Sequence, residues 1–191
     1  MVILGLDLGG SKLLARGVDR RGRVCFRMRC ATGRGLGPDA ALGAIEGVVA
    51  QARAEVGRVE AIGLGFPGLV DHGRGVARSS VMLDGWRDEP LAARLEARFG
   101  VPCAVDNDVN AAALCELELR GGVARDMLFV AVGTGIGGAL VLGGRLRRGA
   151  GGFAGEIGHV SIDPAGRACD CGRRGCVNRY ASGREIGRAH V

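Results

Sequence analysis

Residues 127–144 read MLFVAVGTGIGGALVLGG, and residues 2–12 read VILGLDLGGSK. Each is an apolar run broken by a glycine turn, and further apolar sequence and a second turn follow it. Strand, glycine turn, strand, turn, strand thus occurs at 2–30 and again from 127 onward. Short apolar runs bounded by turn residues read as strands. Their repetition implies two related lobes, each presenting one glycine turn to a shared cleft. The run from Val2 to Leu8 is so nearly continuous that it predicts a strand buried on both faces, interrupted by Asp7.

Outward from these runs the chain alternates helix and strand. Pro38 and Asp39 open a helix whose apolar positions Ala41, Leu42, Ile45, Val48, Val49 and Ala52 keep helical spacing, and Gly57 ends it. A strand over 59–66 stops at Pro67-Gly68, and residues 71–86 predict loops and short strands. A second helix begins around Asp88 and Pro90 with Leu91, Leu95 and Phe99 on one face, and Gly100 closes it. A strand over 101–105 feeds Asp106-Asn107-Asp108, then a helix over 109–120. The tail from Gly183 starts another helix. The expected organisation is an N-terminal lobe over 1–120 and the first part of a C-terminal lobe over 121–191.

Composition narrows the function. Of 191 residues, 47% are hydrophobic and 24% charged, as in an ordinary globular protein. The formal charge is +6, and 26 basic residues include a single lysine, Lys12. The arginines are scattered and aromatics make up only 4%, so the basic, stacking surface of a nucleic-acid binder is missing. No apolar run reaches membrane-spanning length. Met1 leads straight into a strand without a leader-like segment, so the cytoplasm is the expected compartment. There the seven cysteines are thiols or metal ligands rather than disulfides. Cys25, Cys30, Cys103 and Cys115 fall in apolar segments and are expected in the core.

Four groups of residues carry chemistry. Asp7 beside Gly9, Gly10, Ser11 and Lys12 combines a carboxylate, a turn whose N–H groups can approach phosphate, and a point charge; an ordinary hairpin with a satisfied Asp explains it equally well. Gly133, Thr134, Gly135 and Gly137 form a second such turn, and the pair fits a clamp on a nucleoside triphosphate and Mg²⁺. Asp106-Asn107-Asp108 lies where a strand enters a helix. One of the three suffices as a helix cap, and a carboxylate at that mouth can accept a hydroxyl proton during phosphoryl transfer. His159, Cys169, Cys171 and Cys176 supply four ligands for a closed, structural zinc site, which would pin the loop carrying Glu156. His72 and His190 have no partner in sequence and read as surface residues.

With these residues in place, the chain resembles the ROK family of repressors and sugar kinases. The motifs are GLDLGGSK at 5–12, GLGFPGLVD at 63–71, VDNDVNAA at 105–112, the turn at 133–138, GEIGH at 155–159, and the cysteine loop followed by YASG at 180–183. The resemblance implies an α/β, two-lobed actin-like ATPase fold of the ribonuclease H-like type, with the second lobe incomplete. It implies transfer of the γ-phosphoryl of ATP to a hexose hydroxyl, foremost the 6-hydroxyl of glucose, or of an N-acetylhexosamine or fructose. Asp108 would then be the base. Asn107, Gly68, Glu156, His159 and Asn178 would contact the sugar. Asp7 would organise Mg²⁺, while Gly9, Gly10, Ser11, Lys12, Gly133, Thr134, Gly135 and Gly137 grip ATP. A homodimer or homotetramer is the implied assembly.

Three departures accompany the resemblance. Asn178 stands where the family carries a sugar-binding glutamate, and Met82-Leu83 where relatives often have Asn-Leu. The adenosine-binding segment and closing helices would lie beyond Val191. A sugar-sensing repressor of the family would carry a DNA-binding segment before the first strand, for which Val2 leaves no room. A sugar- or zinc-binding fragment without catalysis is the other reading, against which Asp108, Asp7 and Lys12 stand.

Overall fold

The computed structural model describes residues 2–33, 35–123 and 125–188. Two compact units emerge, one ending at Asp108 and the other beginning at Val109.

The first unit is built on a five-stranded sheet. Strands β1 (Val2–Leu8), β2 (Lys12–Asp19) and β3 (Val24–Ala31) form an antiparallel meander. Strands β4 (Val59–Phe66) and β8 (Cys103–Asn107) join parallel to β1, in the order β3-β2-β1-β4-β8. The parallel steps need crossovers, and α1 (Pro38–Val56) and α2 (Leu91–Phe99) provide them. The six residues expected on the apolar face of α1 are its buried ones, and they pack with Leu4, Leu6, Leu8 and Leu13 in one core. Gly57 and Gly100 end the two helices, Gly100 in the left-handed conformation at φ 67°. Between β4 and α2 a small antiparallel sheet comprises β5 (Leu69–Asp71), β6 (Val76–Ser79) and β7 (Arg87–Glu89). Asp88 therefore belongs to a strand, and α2 starts only after Pro90.

Two expectations need correction. β1 is buried on one face only: Val2, Leu4, Leu6 and Leu8 point into the core, while Ile3, Gly5 and Asp7 lie on the other, exposed face. Both helices contribute to the core on the first face, so a run apolar on both sides still packs as an alternating strand. Cys25 and Cys115 are exposed, and Cys30 and Cys103 only partly buried. Cys25 sits on β3, an edge strand, where its Sγ donates to the Gly17 carbonyl.

The second unit repeats the meander with β9 (Met127–Val132), β10 (Ile136–Leu142) and β11 (Arg145–Arg147). Gly143 and Gly144, at φ 62° and 73°, make the two-residue turn that pairs Leu142 with Arg145, a geometry that favours glycine at both positions. Helix α3 (Asp108–Leu119) precedes the sheet, and a 3₁₀ turn (Ile157–His159) packs against β10. Two short helices, α4 (Asn178–Ala181) and α5 (Gly183–Arg188), follow the cysteine loop.

Candidate active site

In the first unit, sheet register brings the carboxylates together. Asp7 pairs with Gly65 on β4, and Gly65 pairs with Asp106 on β8. Parallel partners point to the same face, so Asp7 and the position of Gly65 share one face of the sheet, exposed at β1 and covered at β4. A Cβ at Gly65 would stand 3.3 Å from the Cα of Asp108. The missing side chain is what lets Asp108 settle over β4, one strand away from Asp7. Burial raises the Asp7 pKa above its ordinary 3.8, and Lys12 only partly offsets it.

The turn after β8 is tied down. The Asn107 Nδ2 donates to the Gly68 carbonyl at 3.1 Å, and the Asn107 N–H donates to Asp106 Oδ1 at 2.9 Å. Behind Gly68, the Ser80 hydroxyl donates to the Pro67 carbonyl at 2.6 Å and accepts from the N–H groups of Met82 and Leu83. Gly68 itself has no room for a side chain, being pressed against Ser79, Ser80 and Phe66.

The first glycine turn closes with the Gly9 N–H donating to the Lys12 carbonyl at 2.8 Å. The buried Thr32 braces it, donating its hydroxyl to the Gly9 carbonyl and its N–H to the Ser11 carbonyl. Ser11 and Lys12 are exposed. Thr32 was invisible as a site residue in sequence, since a lone threonine after a strand carries no signal.

In the second unit, Gly133, Thr134 and Gly135 form an exposed turn closed by the Gly133 N–H on the Gly135 carbonyl, 2.8 Å. The next two glycines serve packing: a Cβ at Gly137 would meet Val109 at 2.6 Å, and one at Gly138 the Gly155 carbonyl at 2.5 Å. Asn178 links this turn to the loop beyond. Its Oδ1 accepts the Ile136 N–H at 2.5 Å, and its Nδ2 lies 3.5 Å from His159 Nε2. Glu156, exposed, precedes the 3₁₀ turn that carries His159.

His159, Cys169, Cys171 and Cys176 converge, with one ligand atom from each within 4.8 Å of the others. Cys169 Sγ is 3.6 Å from His159 Nδ1, and Cys171 Sγ is 3.7 Å from Cys176 Sγ. Tetrahedral zinc, with bonds of about 2.3 Å to sulfur and about 2.0 Å to nitrogen, sets its ligands about 3.5–3.8 Å apart. The donor set and spacing fit zinc. Burial pushes the Cys171 thiol up, but the Arg173 N–H, the neighbouring thiols and His159 outweigh it and bring the pKa down to about 6. Burial and the adjacent thiols push Cys176 up to about 11. A dication would neutralise thiolates that otherwise repel one another. The loop is held to the helices after it by Arg179, which pairs with Glu185 at 3.3 Å and Asp170 at 4.0 Å. The Tyr180 hydroxyl also accepts the Arg167 N–H at 3.1 Å.

His72 is exposed, as expected, but it is not without partners. Its Nδ1 lies 3.0 Å from the Val105 carbonyl and 3.7 Å from Asp106 Oδ2. His190 lies outside the described residues.

The family model for ROK matches residues 3–190. The chain belongs to the ROK family. This ROK chain is 40% identical over 187 residues to a glucokinase of Streptomyces coelicolor, covering 97% of itself and 57% of that protein. It is 39% identical over 189 residues to an N-acetylmannosamine kinase of Escherichia coli O1:K1 / APEC, covering 99% and 64% respectively. Among solved structures, a ROK family glucokinase from Streptomyces griseus, in complex with glucose and AMPPNP, superposes with a TM-score of 0.87. The two are 39% identical, and the match covers 98% of this chain and 59% of that one. The fold is thus the α/β fold of the actin-like ATPases, and the chain spans about three-fifths of the length of the curated relatives it matches.

Proposed function

We propose that the protein is an ATP-dependent sugar kinase that moves the γ-phosphoryl of ATP to a hexose hydroxyl, with the 6-hydroxyl of glucose as the first candidate acceptor. The observation that supports it most is Asp108 at the start of α3, beside an Asn107 anchored to Gly68, in a chain whose relatives are glucokinase and N-acetylmannosamine kinase.

On this reading Asp108 takes the proton of the sugar hydroxyl as its oxygen bonds to the γ-phosphorus, and the bond to the β–γ bridging oxygen breaks to release ADP. Asn107, with Nδ2 committed to Gly68, offers its Oδ1 side to the sugar. Gly68, Glu156 and His159 complete the sugar contacts. Asn178 contributes through His159 and the Ile136 N–H, in place of a direct carboxylate contact. Gly9, Gly10, Ser11 and Lys12 with Gly133, Thr134, Gly135 and Gly137 hold the phosphates. Asp7 would hold Mg²⁺, which supplies charge neutralisation on the phosphoryl oxygens. His159, Cys169, Cys171 and Cys176 would hold zinc, whose contribution is to fix the loop that carries Glu156.

The test is an ADP-release assay over glucose, N-acetylglucosamine, N-acetylmannosamine, fructose and allose, with D108N beside the wild type. The expected outcome is sugar-dependent ADP formation with one sugar preferred, and a loss of about a hundredfold or more in kcat for D108N with sugar binding retained. Undiminished turnover by D108N refutes the assignment of the base, and no ADP release with any sugar refutes the kinase reading.

A further inference from the structure

We propose that His72 is a positioning residue for the turn Asp106-Asn107-Asp108, acting through Asp106. This rests on the kinase reading above for its catalytic consequence, though the bracing stands on geometry alone.

β8 is the outermost strand of its sheet. The carbonyls on its free edge need partners other than a strand. His72, in the turn after β5, supplies one for Val105 at 3.0 Å. A carbonyl can only accept, so the imidazole carries its proton on Nδ1. That same Nδ1 faces Asp106 Oδ2 at 3.7 Å, while Asp106 Oδ1 accepts the Asn107 N–H at 2.9 Å. The Asp106 carboxylate is nearly buried, at 10% exposure, so its rotation is set by what surrounds it.

The carboxylate thus spans the gap between the imidazole and the backbone of the residue before Asp108. On the other side of the turn, Asn107 Nδ2 is held by the Gly68 carbonyl. His72 and Gly68 clamp the turn from two directions, and both stand on the short segment around β5. Removing the imidazole leaves the Val105 carbonyl without this donor and takes away a group that faces Asp106 Oδ2. The turn then loses one of its restraints, and Asp108 is held less firmly against whatever it must deprotonate. A misplacement of about 1 Å at a reacting group can cost on the order of a hundredfold in rate.

The experiment compares wild type, His72→Leu and His72→Asn, the last keeping a donor at the position of Nδ1. In His72→Leu we expect amide exchange at 107–110 to quicken, with exchange across β1 and α1 unchanged. We also expect kcat to fall roughly tenfold, with KM for sugar and ATP within about twofold. His72→Asn restores both. Combining His72→Leu with Asp106→Asn costs no more than the stronger single change, because the two act on one path. Unchanged exchange and unchanged kcat in His72→Leu overturn the proposal, as does a loss confined to KM or one that His72→Asn fails to rescue. If the wild type releases no ADP with any sugar, the kinase reading and the catalytic consequence fall together, and the exchange data decide the bracing by themselves.

Discussion

Asp7 and Asp108 show how single residues are placed here by what neighbouring residues lack. Gly65 has no side chain, so Asp108 lies against β4 on the face where Asp7 also points. Asp7 is costly to keep charged, because burial raises its pKa and Lys12 compensates only in part. The sign follows from linkage. A carboxylate whose folded pKa lies above its unfolded value carries no penalty below about pH 3.8, and destabilises the fold as pH rises through the folded pKa. Asp7→Asn should therefore raise the melting temperature at pH 7 and leave it nearly unchanged at pH 3, in thermal melts without added Mg²⁺. A lower melting temperature at pH 7 would contradict this account. In sequence, Asp7 was legible as an anomaly in an apolar strand, but its neighbourhood with Asp108 was not. That neighbourhood depends on strand order, since β4 and β8 lie 50 to 100 positions away along the chain.

At the scale of elements, the cysteine loop is the part with the least regular structure, and on the proposed reading a bound zinc holds it. Residues 160–177 contain no strand longer than an isolated bridge, at Ser161 with Cys176 and Ala168 with Arg174. Their order comes from turns, the Arg179–Glu185 pair, and the four converging ligands. Purified protein should contain one zinc per chain. Stripping it with a chelator, or replacing Cys176 by Ser, should lower the melting temperature by about 10 °C. Elemental analysis finding no zinc, together with a melt indifferent to chelator, would reject the site. Here the convergence of the four residues was readable from spacing, because Cys169, Cys171 and Cys176 are near neighbours in sequence and His159 lies ten residues before the first of them. The helices were readable too: α1 buries the very side chains its periodicity marks. His72 was not, because its partners Val105 and Asp106 are 33 and 34 residues further along and no spacing rule connects them.

At the scale of the whole molecule, the two meanders differ in how they are covered. The β1-β2-β3 meander joins a five-stranded sheet with a helix-packed core. The β9-β10-β11 sheet leaves Leu128, Val130 and Val132 on β9 at 54%, 46% and 63% exposure among the described residues, and β9 is an edge strand. An exposed apolar edge promotes pairing between chains. The 191-residue chain should self-associate at micromolar concentration, and Val130→Lys should shift it towards the monomer in size-exclusion chromatography with light scattering. Identical elution of the two would count against the edge as the cause. What the sequence determined by itself was local: strands and helices from hydrophobic period, turns from paired glycines, a candidate metal-ligand set from short spacing, and the ROK resemblance from linked motifs. Tertiary structure alone decided that β1 buries one face, that Gly65 admits Asp108 against β4, and that His72 meets Val105 and Asp106. Those facts depend on contacts between segments far apart in the chain, and a linear pattern records which side chains are apolar but not which element will arrive to cover them.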